Sequence, residues 1–258
     1  MQTPTIKTIG DQVVKAASYL SLAPAFIMEN KLWRGYLSIG WISKLAVFVA
    51  IVFSYTFITG IIGLFFPSTT TDVVHQESLS FFSRLENFGD RLLFSGVMKY
   101  LILILLETVI FHFSVKTEEL LSGVKMELTV EDFIAAQIRM IKVAFRSWIY
   151  ELIISAILMA VLSMFGLDLI SKVVFFLIQS YFLGLAFIDN YNEQNKISIK
   201  ESFKIAYSHI GAAIFVGMVA YTLFMVPLIG IIITPFICAV GTTTYMYFYD
   251  KKVNYQTP

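Results

Sequence analysis

The stretch VPLIGIIITPF, from Val226 to Phe236, interrupts the most apolar part of the chain with two prolines and a glycine. No Asp, Glu, Lys or Arg occurs between residues 205 and 249 on either side of it. Pro227 and Pro235 disfavour one continuous helix, and Gly230 allows a tight reversal of the backbone. The pattern therefore predicts the tip of a helical hairpin, which either stops inside a bilayer or crosses it with a short external turn.

The composition predicts an all-α integral membrane protein. Of the 258 residues 57% are hydrophobic and only 14% are charged, whereas soluble domains carry about 25% charged residues. Too few polar side chains remain to cover a water-facing surface, so the lipid bilayer is the expected partner. With 19 basic against 18 acidic residues, the near-neutral charge argues against a nucleic-acid partner.

Hydropathy divides this single membrane domain, residues 1–258, into apolar spans and connecting segments. It predicts long transmembrane helices at 36–66 and 92–113, joined by an external loop at 67–91. A first hairpin is expected at 147–188 with its break at MFGLDL, and a capped helix with the second hairpin at 198–249. Because each half of a hairpin has about the 20 apolar residues of a spanning helix, hydropathy alone counts six crossings.

The basic residues alternate along the chain with segments that are poor in bases. The base-rich segments are the N-terminal region, residues 114–146, residues 196–204 and the C-terminal end, and those between them carry few bases. Under the positive-inside rule this pattern predicts that both termini are cytoplasmic and that 67–91 is external.

Each hairpin is preceded by a signal for the start of a helix. The tetrapeptides TVED, at Thr129–Asp132, and SIKE, at Ser198–Glu201, both fit a capping box. The first is expected to open a basic helix after a cytoplasmic loop within 114–146, and the second a short basic helix through Lys204. The two units are either an internal repeat or two unrelated hairpins.

The sequence pattern of residues 1–35 predicts an amphipathic helix that lies in the cytoplasmic interface of the membrane. Apolar residues recur at helical spacing, with Lys15, Glu29 and Lys31 elsewhere on the helix. A kink is expected near Pro24.

Three ionisable residues fall in the apolar spans and are candidate pathway residues: Lys99, Glu107 and Glu151. Alternatively, Lys99 reaches outward to the membrane surface, and the two glutamates pair with bases near the cytoplasmic interface. The three histidines show no metal-ligand spacing, and no catalytic or nucleotide-binding motif occurs. The sequence therefore predicts no enzyme, no catalytic residue, no metal and no cofactor.

Four segments carry a resemblance to a known family. They are the Asp-x-x-x-x-(Asn/Gln)-x-Lys loop at Asp189–Lys196, the Pro-x-x-Gly-x-x-x-x-Pro tip, the tail CAVGTTTYMY and the segment KTEELLSG. In these features, and over about residues 10–252, the chain resembles the CysZ sulfate permeases and the etoposide-induced proteins.

The resemblance implies two long transmembrane helices, two re-entrant hairpins, cytoplasmic termini, the bacterial inner (plasma) membrane and homo-oligomers. It further implies passage of a small inorganic anion such as sulfate, with Arg34, Lys116 and Glu118 as candidate substrate-binding residues. The chain departs from the family in residues 107–118, which lack its proline and glycine, and at the first hairpin tip, which lacks its prolines. A permease or channel for a small anion and a non-transporting membrane scaffold or assembly factor are the two functions that remain open.

Overall fold

The computed structural model describes residues 6–32, 98–126, 128–224, 226 and 229–255. These residues form helices and no strands. The helices are α1 (Ile6–Glu29), α2 (Met98–Ser122), α3 (Val130–Met164), α4 (Asp168–Gln194), α5 (Ile199–Ser208), α6 (Ile210–Phe224) and α7 (Ile229–Tyr255). The predicted helix 36–66, the loop 67–91 and the residues Arg34 and Pro227 lie outside the described ranges.

Three of the described helices are long and apolar enough to cross a membrane: Lys99–Ser122, Val130–Met164 and Ile170–Gln194. The consecutive helices α5 and α6 meet the same requirement only when taken together, and they are bent by 94° at the break between them. These lengths and compositions are those of a membrane protein, in agreement with the predicted all-helical class.

The predicted capping box at the start of α3 is confirmed. The backbone N–H of Thr129 donates to Asp132 Oδ2 over 2.8 Å, and the N–H of Asp132 donates to Thr129 Oγ1 over 3.3 Å. Since the 35 residues of α3 contain neither glycine nor proline, the helix continues through the predicted boundary at residue 147. It ends at the predicted break, where Gly166 takes a positive φ of 66°.

The second unit also begins at its predicted cap but follows a different path. The N–H of Glu201 donates to Ser198 Oγ over 3.3 Å at the start of α5, which is one half of the predicted capping box. The Glu201 carboxylate accepts from Lys204 Nζ over 3.2 Å. The helix ends at Ser208, however, and the chain turns sharply before α6. The cap of the first unit therefore opens one long helix, and the cap of the second opens a short helix followed by a bend and another short helix. The similarity between the two units ends after the cap.

Two segments that were expected to be loops are helical. α2 continues through residues 114–122, which were assigned to a cytoplasmic loop, because no helix-breaking residue occurs before Gly123, whose φ is 73°. Asp189 lies in the last turns of α4, and the chain leaves that helix only near Lys196, whose φ is 57°. The motif that begins at Asp189 is thus mainly the end of a helix.

The roles expected of Gly230 and Pro235 need correction. Gly230 lies in the first turn of α7 without a positive φ, and its missing Cβ makes room for the backbone carbonyl of Leu223 on α6. Pro235 lies inside α7 and does not start it. α6 ends at Phe224 and α7 begins at Ile229, so the break between these two helices overlaps the start of the predicted stretch.

α1 packs on the other helices through one face. Its buried residues Gln12, Ala16, Leu20 and Ala23 contact α6 and α7, whereas Val14 is 69% exposed. The Gln12 side chain joins α1 to the bend after α5, since it donates to the carbonyl of Ser208 and accepts from the N–H of Gly211. The helix continues without interruption through Pro24.

Candidate functional site

Lys99 and Glu151, two of the predicted intramembrane residues, form an ion pair in the interior. Lys99 Nζ lies 2.5 Å from Glu151 Oε2, and their side chains are only 3% and 6% exposed. The hydroxyl of Tyr100 donates to the same carboxylate oxygen over 2.6 Å. The alternative in which Lys99 reaches outward is therefore wrong, because Glu151 on α3 holds it inside.

Further polar groups surround this pair. The ammonium of Lys99 lies 5.7 Å from the ring centroid of Tyr221, whose hydroxyl donates to Gln179 Oε1 over 2.8 Å. Tyr221 belongs to α6 and Gln179 to α4, so four helices contribute to the cluster. The Lys99 ammonium thus lies beside the Glu151 carboxylate and within cation–π distance of the Tyr221 ring, which in turn contacts an amide.

Two serines extend this cluster along α3. Ser147 and Ser155 lie one helical turn before and after Glu151, on the same buried face of the helix. Neither hydroxyl has a hydrogen-bond partner among the residues that the structure describes. Buried polar atoms are usually hydrogen-bonded, so these serines mark a polar stripe with unused hydrogen-bonding capacity.

Arg139 ties α3 to the end of α4. Its Nε and Nη2 atoms donate to the two carboxylate oxygens of Asp189 over 3.0 and 2.8 Å, and Nη1 donates to the carbonyl of Ile197 over 2.7 Å. Glu193 Oε2 lies 3.9 Å from Arg139 Nε. This bidentate pair fixes one geometry between the two helices.

Glu107 lies apart from the Lys99–Glu151 pair and beside the end of α4. It is fully buried, and its Oε2 accepts a hydrogen bond from Asn190 Nδ2 over 3.3 Å. Within the described ranges Oε1 has no hydrogen-bond partner. The structure therefore assigns two of the three predicted intramembrane residues to one cluster and the third to another.

Two of the substrate-binding residues implied by the family resemblance, Lys116 and Glu118, lie on α2. Lys116 pairs with Glu119, 2.5 Å away, in the adjacent turn of α2, while Glu118 is buried. Arg34 and Pro227 lie outside the described residues, and Gly230 and Pro235 belong to α7. No group of three His, Cys, Asp or Glu side chains in the described segments can hold a metal ion.

Sequence reasoning missed Tyr100, Gln179, Tyr221 and the pairing of Arg139 with Asp189. A weak signal was present for Gln179, a single amide in the apolar stretch that ends at Ile188. The partners of Arg139 and Lys99 are about 50 residues away in the sequence, and a single sequence carries no signal for that pairing.

No protein-family model, no curated protein and no solved structure matches this chain.

Proposed function

We propose that the chain is a CysZ-like membrane permease or channel for a small inorganic anion such as sulfate. The observation that carries the proposal is the buried Lys99–Glu151 pair, which lies between helices long enough to cross a bilayer. Charged residues inside a membrane are costly and mark ion pathways. Replacing a buried pair by apolar residues is often neutral or stabilising, so its presence points to a role other than stability.

Lys99 is the proposed fixed cation of this pathway. An entering anion competes with Glu151 for the ammonium group, and the hydroxyls of Ser147 and Ser155 are available to it as hydrogen-bond donors. After the anion leaves, Glu151 returns to Lys99 and restores the resting pair. Arg34 and the exposed bases Lys142 and Arg146 would attract the anion at the cytoplasmic side.

The proposed arrangement in the plasma membrane has both termini in the cytoplasm, as the alternating basic segments favour. The long helices α3 and α4 form a hairpin that reaches the outer face, whereas α6 and α7 form a re-entrant one. Homo-oligomers, as in the resembling family, belong to the same proposal.

Radiolabelled sulfate and phosphate uptake into proteoliposomes tests this function. We expect uptake by the wild-type protein and at least about a tenfold loss in Lys99→Met/Glu151→Leu, since removing a charge that acts on the moving ion costs more than 1.4 kcal/mol. This double variant leaves no unpaired buried charge, so its fold should persist. Lys125→Met, on the exposed connection between α2 and α3, is the matched control and should transport normally.

A membrane scaffold or assembly factor is the second candidate, and the exposure of α3 favours it. At 1.5 Å per residue, α3 is about 52 Å long, while the hydrocarbon core of a bilayer is about 30 Å thick. Large apolar side chains are nevertheless exposed from Ile134 to Met164, along nearly the whole helix. Absence of uptake for sulfate, phosphate and other small anions by folded wild-type protein would favour this function over transport.

A further inference from the structure

A surface groove of about 550 Å³ lies between α3 and the start of α5. Its lining combines bases with aromatic and aliphatic side chains: Lys142, Phe145, Arg146, Ile149, Tyr150 and Ile199. The groove is separate from the buried Lys99–Glu151 cluster, and the proposed transport function does not use it as a binding site.

The two bases of the groove carry unneutralised charge. Lys142 and Arg146 are one helical turn apart, so both project from the same side of α3. Neither forms an ion pair with a described residue, whereas Lys99, Lys116, Arg139 and Lys204 each do. The guanidinium of Arg146 lies 5.8 Å from the ring centroid of Phe203 on α5, which places its charge between the two helices.

Apolar surface continues directly from the groove along α3. Tyr150 is 45% exposed, and the exposed aliphatic residues Leu152, Ile153 and Ile157 follow it. Tyrosine is typical of the boundary between headgroups and acyl chains. A ligand with an anionic head and apolar tails would match both parts of this surface, whereas a free inorganic anion would match only the two bases.

We propose that this groove is a binding site for an anionic phospholipid. The phosphate of the headgroup contacts Lys142 and Arg146, and the acyl chains lie along the exposed apolar side of α3 beyond Tyr150. Phe145 and Ile149 cover the glycerol region between the head and the tails.

Trp148 provides a fluorescent reporter beside the site, because its ring centroid lies 6.1 Å from that of Phe145. In a Trp33→Phe/Trp41→Phe background it is the remaining tryptophan of the chain. The protein is reconstituted into phosphatidylcholine with increasing fractions of either acyl-brominated phosphatidylglycerol or acyl-brominated phosphatidylcholine. Quenching of Trp148 fluorescence by each brominated lipid then gives the relative affinity of the two lipids at this position.

We expect the site to prefer brominated phosphatidylglycerol over brominated phosphatidylcholine, with each of the two bases contributing about a fivefold factor to the affinity ratio. Lys142→Ala/Arg146→Ala should lower that ratio to near one. Lys15→Ala/Lys125→Ala removes the same charge from two exposed lysines elsewhere and should keep the preference. Lys142→Arg/Arg146→Lys, which retains both charges, should keep it as well.

Equal quenching by the two lipids in the wild-type background would overturn the proposal, as would a preference that survives Lys142→Ala/Arg146→Ala. A site for free anions gives a different result: inorganic phosphate or sulfate at millimolar concentration would then abolish the preference. Thermal unfolding of each variant, compared with its parent, verifies that the fold is unchanged.

Discussion

The effect of the Lys99–Glu151 ion pair on stability depends on whether one partner or both partners are removed. Both charged side chains are buried in the interior of the helix bundle. Removing one partner leaves the other as an uncompensated buried charge, which costs about 3–5 kcal/mol, whereas removing both is often neutral. This difference separates the pair's contribution to folding from its proposed contribution to transport.

We therefore expect Lys99→Met to lower the free energy of unfolding by about 3–5 kcal/mol, because Glu151 is left without its cation. Thermal or denaturant unfolding in detergent measures the change. Lys99→Met/Glu151→Leu should recover most of the loss. If the double variant were as unstable as the single one, the pairing itself would not be the source of the effect.

Arg139 is the second residue whose chemistry can be tested alone, since it reaches both oxygens of Asp189 and the carbonyl of Ile197. Arg139→Lys keeps the positive charge but loses the planar fork that makes these three hydrogen bonds. We expect a loss of about 1.5–3 kcal/mol in unfolding free energy, the range for hydrogen bonds to charged groups.

Arg146→Lys is the matched control for Arg139→Lys, because it is the same substitution seven residues later on α3. Arg146 has no carboxylate partner among the described residues, so the expected change is within about 0.5 kcal/mol. Equal effects of the two substitutions would mean that the contact with Asp189 does not stabilise the protein.

At the scale of helices, the features that have a local cause could be predicted from the sequence. The caps at Thr129 and Ser198 follow from side chains that bind backbone groups three residues away, and a short motif encodes them. The break at Gly166 likewise follows from a glycine that can adopt a positive φ. These features were predicted at the correct residues.

The remaining features depend on contacts that are distant in the sequence. At the 94° bend after α5, the Gln12 side chain forms hydrogen bonds to backbone groups on both sides of the bend. Gln12 precedes these groups by nearly 200 residues in the sequence. Gly230 was expected to serve the turn, but its neighbour is the Leu223 carbonyl on the preceding helix. A glycine in a sequence does not reveal whether it provides a backbone conformation or space for another helix.

The contact between α4 and α6 is the clearest case in which space is the requirement. A Cβ at Gly217 would overlap the carbonyl oxygen of Ser180, and a Cβ at Gly184 would overlap that of Ala213. Small residues allow helix backbones in a membrane to approach closely. Gly184 and Gly217 thus allow the backbones of α4 and α6 to come into close contact.

We expect Gly217→Ala to destabilise the protein by at least about 1–3 kcal/mol, because the added methyl group overpacks this contact and forces the helices apart. Gly10→Ala on α1 is the matched control. No atom lies within 4 Å of its added Cβ, so the better helix propensity of alanine should leave stability unchanged or raise it by up to about 1 kcal/mol. Unfolding in detergent compares the two, and a neutral Gly217→Ala would contradict the close packing.

At the scale of the whole molecule, the two hairpins have arms of different reach. α3 and α4 have 35 and 27 residues, which at 1.5 Å per residue exceed the bilayer core of about 30 Å. α6 has 15 residues, or about 22 Å, and the preceding α5 points away at 94°. α7 has 27 residues, as many as α4, so the short α6, measured from the bend after α5, limits how far the second hairpin can reach. If both hairpins start at the cytoplasmic side, we expect the first to reach the outer face and the second to stop short of it.

Single cysteines at the two tips test this difference in a Cys238→Ser background, in which no other cysteine remains. Phe165 and Val226 are exposed on the protein surface near the two tips, at 72% and 43%, so the protein should not bury either introduced thiol. We expect a membrane-impermeant thiol reagent, added to intact cells, to label Phe165→Cys rapidly and Val226→Cys at least about tenfold more slowly, because lipid excludes a charged reagent. Lys125→Cys, on the connection between α2 and α3 that we propose to be cytoplasmic, should react only after the membrane is permeabilised. Rapid labelling of Val226→Cys from outside would mean that the second hairpin also crosses, and rapid labelling of Lys125→Cys would reverse the orientation.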